Sequence, residues 1–284
     1  MKIRYLLLTI FFLGLLTLVV EATPKIIVSD KDKSILQEKL DKFSKDIILP
    51  SGELMLKIGL DFKGTPYVAK TLDINTEESL IVNLRELDCT TFVENCLAIV
   101  QTIKSGHPNF ETFLSMLEKI RYRKGHLNGY TSRLHYFSEW VKDNEVKGFV
   151  TDVTSRLGGI KFPLSLNFMG THPNLYPQLK GNTELINKIR EIEKSVSEKQ
   201  FYYIPKEVIG NEEDKMVGGD IIALTTKIVG LDVSHLGLVY KNNGETFLLN
   251  ASSLGGKVEI TPVSLTQYLN KSKSTIGIFV IRVN

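Results

Sequence analysis

The chain has 284 residues, 43% of them hydrophobic and 24% charged, with two cysteines and a formal charge of +3. That length allows one large or two modest domains around a sizeable core, and the balance of apolar and charged residues excludes a disordered chain, a collagen-like repeat and a multi-span membrane protein. Two cysteines exclude a disulfide scaffold, and +3 lacks the concentrated positive charge of a dedicated nucleic-acid binder.

Lys2 and Arg4 precede an apolar run over residues 5–20, and the stretch ends at Val20-Glu21-Ala22 with small residues where a signal peptidase reads. The 16-residue run is shorter than the roughly 20 residues that span a bilayer as a helix. Residues 1–22 are therefore expected to be a secretory signal, with a retained membrane anchor as the alternative. No cysteine follows the run, which argues against lipoprotein anchoring. The chain over 23–284 is expected to be exported, with the periplasm as its compartment. It is nearly neutral, since the leader removes Lys2, Arg4 and Glu21.

Between residues 31 and 60, apolar residues recur at helical spacing (Ile35, Leu36, Leu40, Phe43, then Leu54, Leu56, Ile58), and Pro50-Ser51-Gly52 breaks the stretch into two helices. Gly64-Thr65-Pro66-Tyr67 is a turn. Next comes Leu87-Asp88-Cys89-Thr90-Thr91-Phe92-Val93-Glu94, with Phe92, Cys96, Ile99 and Ile103 on one helical face and Asp88 as the N-cap, so Cys89 starts a helix. Another amphipathic helix follows over 110–120, and then 129–141, a helical stretch both aromatic and basic. Residues 156–208 carry glycine and proline breaks around one strongly polar helix over 183–198, and are expected to form an insertion lobe. Beyond them, period-two runs rich in branched and aromatic residues mark strands over 220–227, 234–241, 246–252, 257–262 and 275–283, with Asn242-Asn243-Gly244 closing a hairpin. Helices first and an antiparallel sheet second is an α+β order.

A thiol nucleophile needs a lowered pKa, because a free cysteine near ~8.5 is mostly protonated at neutral pH; a helix N-terminus and a neighbouring imidazole both favour the thiolate. Cys89 has the first of these, although a buried small hydrophobe is also open to it. Cys96 lies about 10 Å further along the same helix, beyond the ~7 Å that a disulfide tolerates, and is expected to be core. Of the five histidines, His107, His126, His135 and His172 fall in loop or helical contexts, whereas His235 lies in a strand that holds its side chain rigidly, with open space expected at Gly237. The next strand offers Asn250 and Ser252, either of which can orient the far ring nitrogen. A satisfied core histidine is the alternative for His235. No H-E-x-x-H, C-x-x-C or paired histidines at ligand spacing point to a metal, and no glycine-rich phosphate loop points to a nucleotide.

Together Gly64-Thr65-Pro66-Tyr67, Leu87 to Glu94, Tyr130 to Tyr136 (YTSRLHY), Gly219-Asp220-Ile221-Ile222, Ser234-His235-Leu236-Gly237 and Asn250-Ala251-Ser252-Ser253 resemble the N-acetylmuramoyl-L-alanine amidase-like family within the NlpC superfamily of papain-like cell-wall cysteine hydrolases. The resemblance covers nearly the whole chain after the leader. It implies a papain-like α+β fold in one enlarged domain, with Cys89 as nucleophile, His235 as general base and Asn250 as the orienting residue, a position where histidine is common. Tyr67 would line the site. Asp88, Arg133, His135, Asn167, Met169, His172, Tyr176, Ser234 and Ser252 are candidates for binding substrate. The implied reaction needs no cofactor or metal: amide hydrolysis between the lactyl group of muramic acid and L-alanine in muropeptides, with anhydromuropeptides as one form. A D-glutamyl endopeptidase is the nearest alternative, and a catalytically silent wall-binding module is one of another class. A monomer that binds no nucleic acid is expected.

Overall fold

The computed structural model describes residues 25–284; the leader expected over 1–22 lies outside them. Strand β1 (Ile26–Val28) leads into helix α1 (Asp30–Phe43), whose start is set by a capping box between Ser29 and Asp32. Its Leu36, Leu40 and Phe43 recur along one face and are buried. A 3₁₀ turn and Pro50 separate it from α2 (Ser51–Asp61), so the two-helix expectation matches. Strand β2 (Leu80–Val82) pairs in parallel with β1. The central helix α3 (Cys89–Lys104) follows, then α4 (Phe110–Arg121) capped by Asn109.

Of the stretch 129–141, only its end is α-helical. Tyr130–Ser132 is a single 3₁₀ turn, Arg133 is extended, and α5 runs from Phe137 to Val146. The delay has a long-range cause: no side chain at Tyr136 caps α5, and the buried carboxylate of Asp232 instead accepts the Ser138 N–H at 2.7 Å. Strands β3 (Val150–Asp152) and β4 (Ile160–Phe162), the short helix α6 (Phe168–Thr171), the polar α7 (Thr183–Ser197) and β5 (Phe201–Pro205) complete the middle of the chain.

The expected strands appear as β6 (Ile221–Thr226), β7 (Val233–Asn242), β8 (Glu245–Ser252), β9 (Lys257–Ile260) and β10 (Thr275–Val283), with α8 (Leu265–Lys271) before the last. The β7–β8 hairpin closes on Asn243 and Gly244, both with positive φ, as a two-residue primed turn requires. One antiparallel sheet runs β4-β5-β10-β6-β7-β8-β9, with β3 also on β10. Residues 156–208 are thus tied to the sheet through β4 and β5, because β10 offers one edge to β6 and the other to β5 and β3.

Both faces of the sheet are covered. Ile221, Ala223, Leu238, Phe279 and Ile281 join the core shared with α1 to α5, while Ile222, Leu224, Val239, Ile278 and Val280 pack with Leu265 and Leu269 of α8 on the other side. Every residue of β6 is buried, which is why its sequence is nearly continuous in apolar residues rather than alternating. Among the described residues no helix is long and apolar enough to cross a membrane.

Candidate active site

Cys89 is the first residue of α3. Asp88 holds that end by accepting the Thr91 N–H at 2.8 Å and the Thr91 hydroxyl at 2.9 Å, while Thr91 Oγ1 accepts the Asp88 N–H at 2.9 Å. The thiol is half-buried, and the backbone of Leu236 and Thr90 act in favour of its anion. Burial and then the Asp88 carboxylate nonetheless push its pKa up to about 11. The lowered pKa expected from the helix terminus is therefore not what the folded site provides: desolvation and a neighbouring anion both penalise the thiolate and outweigh the opposing influence of Leu236 and Thr90.

His235 faces this thiol's cavity from β7. The β7–β8 ladder reaches only to Leu238 opposite Leu249, and beyond it the His235 imidazole bridges the strands, with Nε2 2.8 Å from Asn250 Oδ1. The amide is oriented by its other end, since Asn250 Nδ2 donates to the carbonyls of Leu248 at 3.3 Å and Glu259 at 3.4 Å. Oδ1 can only accept, so Nε2 carries the proton and Nδ1 keeps the lone pair. Burial lowers the pKa of His235, against the opposing influence of Asn250 and Asp88, and the ring is a neutral base. Ser252, the other candidate, uses its hydroxyl oxygen to accept the Gly255 N–H at 2.9 Å. The open space expected at Gly237 is filled: a Cβ there would meet the Leu248 side chain at 2.7 Å and the Leu249 carbonyl at 2.8 Å.

Cys89 and His235 line one small cavity of about 150 Å³, walled by His135, Tyr136, Phe137, Trp140 and Asp232 among others. Residues 57–278 match the family described as N-acetylmuramoyl-L-alanine amidase-like. The chain belongs to this family. A solved N-acetylmuramoyl-L-alanine amidase from Bacteroides uniformis is 39% identical, with a TM-score of 0.79 over 82% of this chain and 99% of that one. The structure of a xylanase candidate from Bacteroides fragilis is 43% identical, with a TM-score of 0.76 over 80% of this chain and 99% of that one. A Legionella pneumophila protein, 22% identical with a TM-score of 0.67 over 89% and 94% of the two chains, shares the fold. No curated protein matches the chain.

Within this amidase-like chain the other expected site residues fall into two groups. Tyr67, half-buried, does not line the cavity itself; its backbone bridges to Leu87, two residues before the thiol, and its phenol pKa is raised by burial and then by Cys89 and Asp88. His135 lines the cavity and donates Nε2–H to the Tyr130 carbonyl at 2.9 Å; burial and Arg133 hold it well below the usual histidine range. Ser234 is exposed on the rim of this cavity and of a second one, about 360 Å³, that also touches His235 and Ser252.

The remaining candidates do not line the Cys89 cavity. Arg133 is buried, with its guanidinium 2.6 Å from Asp73 and 3.5 Å from Glu78. Asn167 packs against Gly230, where a Cβ would come within 2.2 Å of Asn167 Oδ1. Met169 is buried and donates its N–H to the Tyr136 hydroxyl at 3.0 Å, so it braces the wall from behind. His172 is exposed and stacks on Phe168, and Tyr176 is half-buried against the core.

Sequence reasoning missed Thr90, Trp140 and Asp232, which line the Cys89 cavity, and Tyr268, which lines the second one. Trp140 is the single tryptophan and stood inside the aromatic stretch already noted. Asp232, its pKa raised by burial, caps α5 from 94 positions away and had no local signal. Among the described residues no three His, Cys, Asp or Glu side chains converge as a metal site would need.

Proposed function

We propose that the protein is an exported cysteine amidase of papain-like, NlpC type that hydrolyses the amide between muramic acid's lactyl group and L-alanine in peptidoglycan fragments. Membership of the amidase-like family and the Bacteroides uniformis amidase support the bond. The observation that carries the mechanism is the bond from His235 Nε2 to a sequestered Asn250 amide, on an imidazole that shares its cavity with Cys89. The leader over 1–22 supports export.

In this reading thiol and imidazole rest neutral. When substrate arrives, Nδ1 of His235 takes the Cys89 proton as Sγ attacks the carbonyl carbon, and the oxyanion is met by backbone N–H groups at the start of α3, with the Tyr67 hydroxyl nearby. The C–N bond breaks as His235 returns the proton to the amine, and water, deprotonated by His235, then hydrolyses the thioester. Proton transfer that accompanies the attack, so that no free thiolate has to form beforehand, agrees with a thiol pKa pushed up rather than down.

Glycoside hydrolysis, the activity that the name xylanase gives to the Bacteroides fragilis neighbour, needs two free carboxyl groups flanking the bond. The carboxylates at this cavity are engaged: Glu94 pairs with the buried Arg121 at 2.7 Å, and Asp232 accepts the N–H groups of Ser138 and Val233. Digestion of defined muropeptides followed by mass spectrometry tests the proposal. The expected product is an intact stem peptide beginning with L-alanine, lost entirely in Cys89→Ala; sugar still carrying L-alanyl-D-glutamate would move the cut to an endopeptidase, and a wild type no better than Cys89→Ala would make this a silent binding module.

A further inference from the structure

Two cavities meet at His235, and they are chemically unlike. The first contains Cys89. The second is reached by His235 and Ser234 but not by Cys89, and the only charged side chain lining it, among the described residues, is Lys271 at the end of α8.

The proposed amidase reaction assigns a half of the substrate to each. The acyl carbon becomes bonded to Sγ, so the sugar-bearing half stays where Cys89 is. The proton abstracted from the thiol returns from His235 Nδ1 to the amide nitrogen as the C–N bond breaks, so the departing nitrogen lies between Sγ and Nδ1, and the peptide behind it leads past Ser234 and His235, the residues that both cavities share. Beyond them is the second cavity.

Its chemistry fits a stem peptide. Lys271 is exposed and pairs with no carboxylate among the described residues. Across the cavity, Ser252 has its hydroxyl oxygen engaged by the Gly255 N–H, which leaves the hydroxyl proton for an outside acceptor. A flexible ammonium and a free O–H donor suit a carboxylate.

We propose that Lys271, with Ser252, binds a carboxylate of the departing stem peptide and makes the protein selective for stems with free over amidated acids. This rests on the amidase reading for the direction of the substrate, and the test separates the two. Lys271→Met raises KM about tenfold on a muramoyl-peptide with free carboxylates, leaves kcat unchanged, and leaves KM on the amidated substrate unchanged. Equal effects on both substrates would overturn the assignment. Independently of turnover, Cys89→Ala is titrated by calorimetry with L-alanyl-D-glutamate and with its diamide. Tighter binding of the free acid, removed by adding Lys271→Met and weakened by salt, is expected, and holds even if the wild type cleaves no muropeptide. Equal binding of the two probes, or none of either, sinks the proposal while leaving the amidase reading standing.

Discussion

Asn250 does for His235 what no neighbour in sequence can. Its Oδ1 fixes the proton on Nε2, and its Nδ2 is committed to two backbone carbonyls, so the amide cannot flip without losing both bonds. Asn250→Ala is expected to lower kcat about a hundredfold with little change in KM, because the wrong tautomer becomes accessible. Asn250→Asp is not a conservative replacement here, since its second oxygen would face the carbonyls of Leu248 and Glu259. The lowered pKa of His235 also has a consequence for the pH profile. An imidazole whose folded pKa lies below its ordinary value of about 6.5 stays a base into mild acid, so the acid limb of kcat/KM falls below that value; a limb above it would contradict the assignment. Stability follows the same sign: the unfolded chain binds protons at His235 and His135 that the folded one refuses, so the stability these neutral rings retain above about pH 6.5 is lost as the pH falls below it.

The placement of Cys89 depends on contacts made by whole elements. Asp32, buried in the first turn of α1, accepts the Leu84 N–H at 2.9 Å and the Arg85 guanidinium at 3.0 Å, tying α1 to the segment that runs into the Asp88 cap. Burial opposes its charge, but Ser29, Leu84 and Arg85 together hold its pKa below the usual carboxylate range. Asp32→Ala leaves those donors unsatisfied and is expected to destabilise by about 2–4 kcal/mol in urea unfolding. On the other side of the site, Gly237→Ala would press β7 off the Leu249 carbonyl. It should cost about 1–3 kcal/mol and lower kcat as well, because the same displacement opens the His235–Asn250 bond; a variant of normal activity and stability would show that the close approach is not needed. Helix α3 and strands β7 to β10 were legible because each carries its own period, cap or turn, and β6 because of its run of branched apolar residues. Helix α5 was not, because its cap is Asp232 on a distant segment.

Across the whole molecule, β10 is the strand that ties the parts together, with β6 along one edge and β5 and β3 along the other. The segment 156–208 read from its glycines and prolines as an insertion, and nothing local in it marks β4 and β5 as strands of the main sheet. Because β5 shares its partner strand with the strands behind the catalytic candidates, we expect 23–284 to unfold as one unit: a single calorimetric transition with equal calorimetric and van't Hoff enthalpies. A separate early transition, or release of 156–208 as a stable fragment by limited proteolysis, would mark it as an independent lobe.

By itself the sequence determined the features that short-range physics controls. Asp88 caps a helix that begins at Cys89, Asn243-Gly244 turns a hairpin that carries His235 and Asn250, and the apolar periods set the main helices and strands. What depends on groups far apart in the chain was decided only by folding. Tertiary packing selected Asn250 over Ser252 as the imidazole's partner, drew Arg133 into the interior onto Asp73 and Glu78, and raised rather than lowered the thiol's pKa. The reason is the same in each case: hydrogen-bond partners and desolvation are set by what packs across space, as when Arg133 meets Asp73 sixty positions away, and no local pattern encodes that packing.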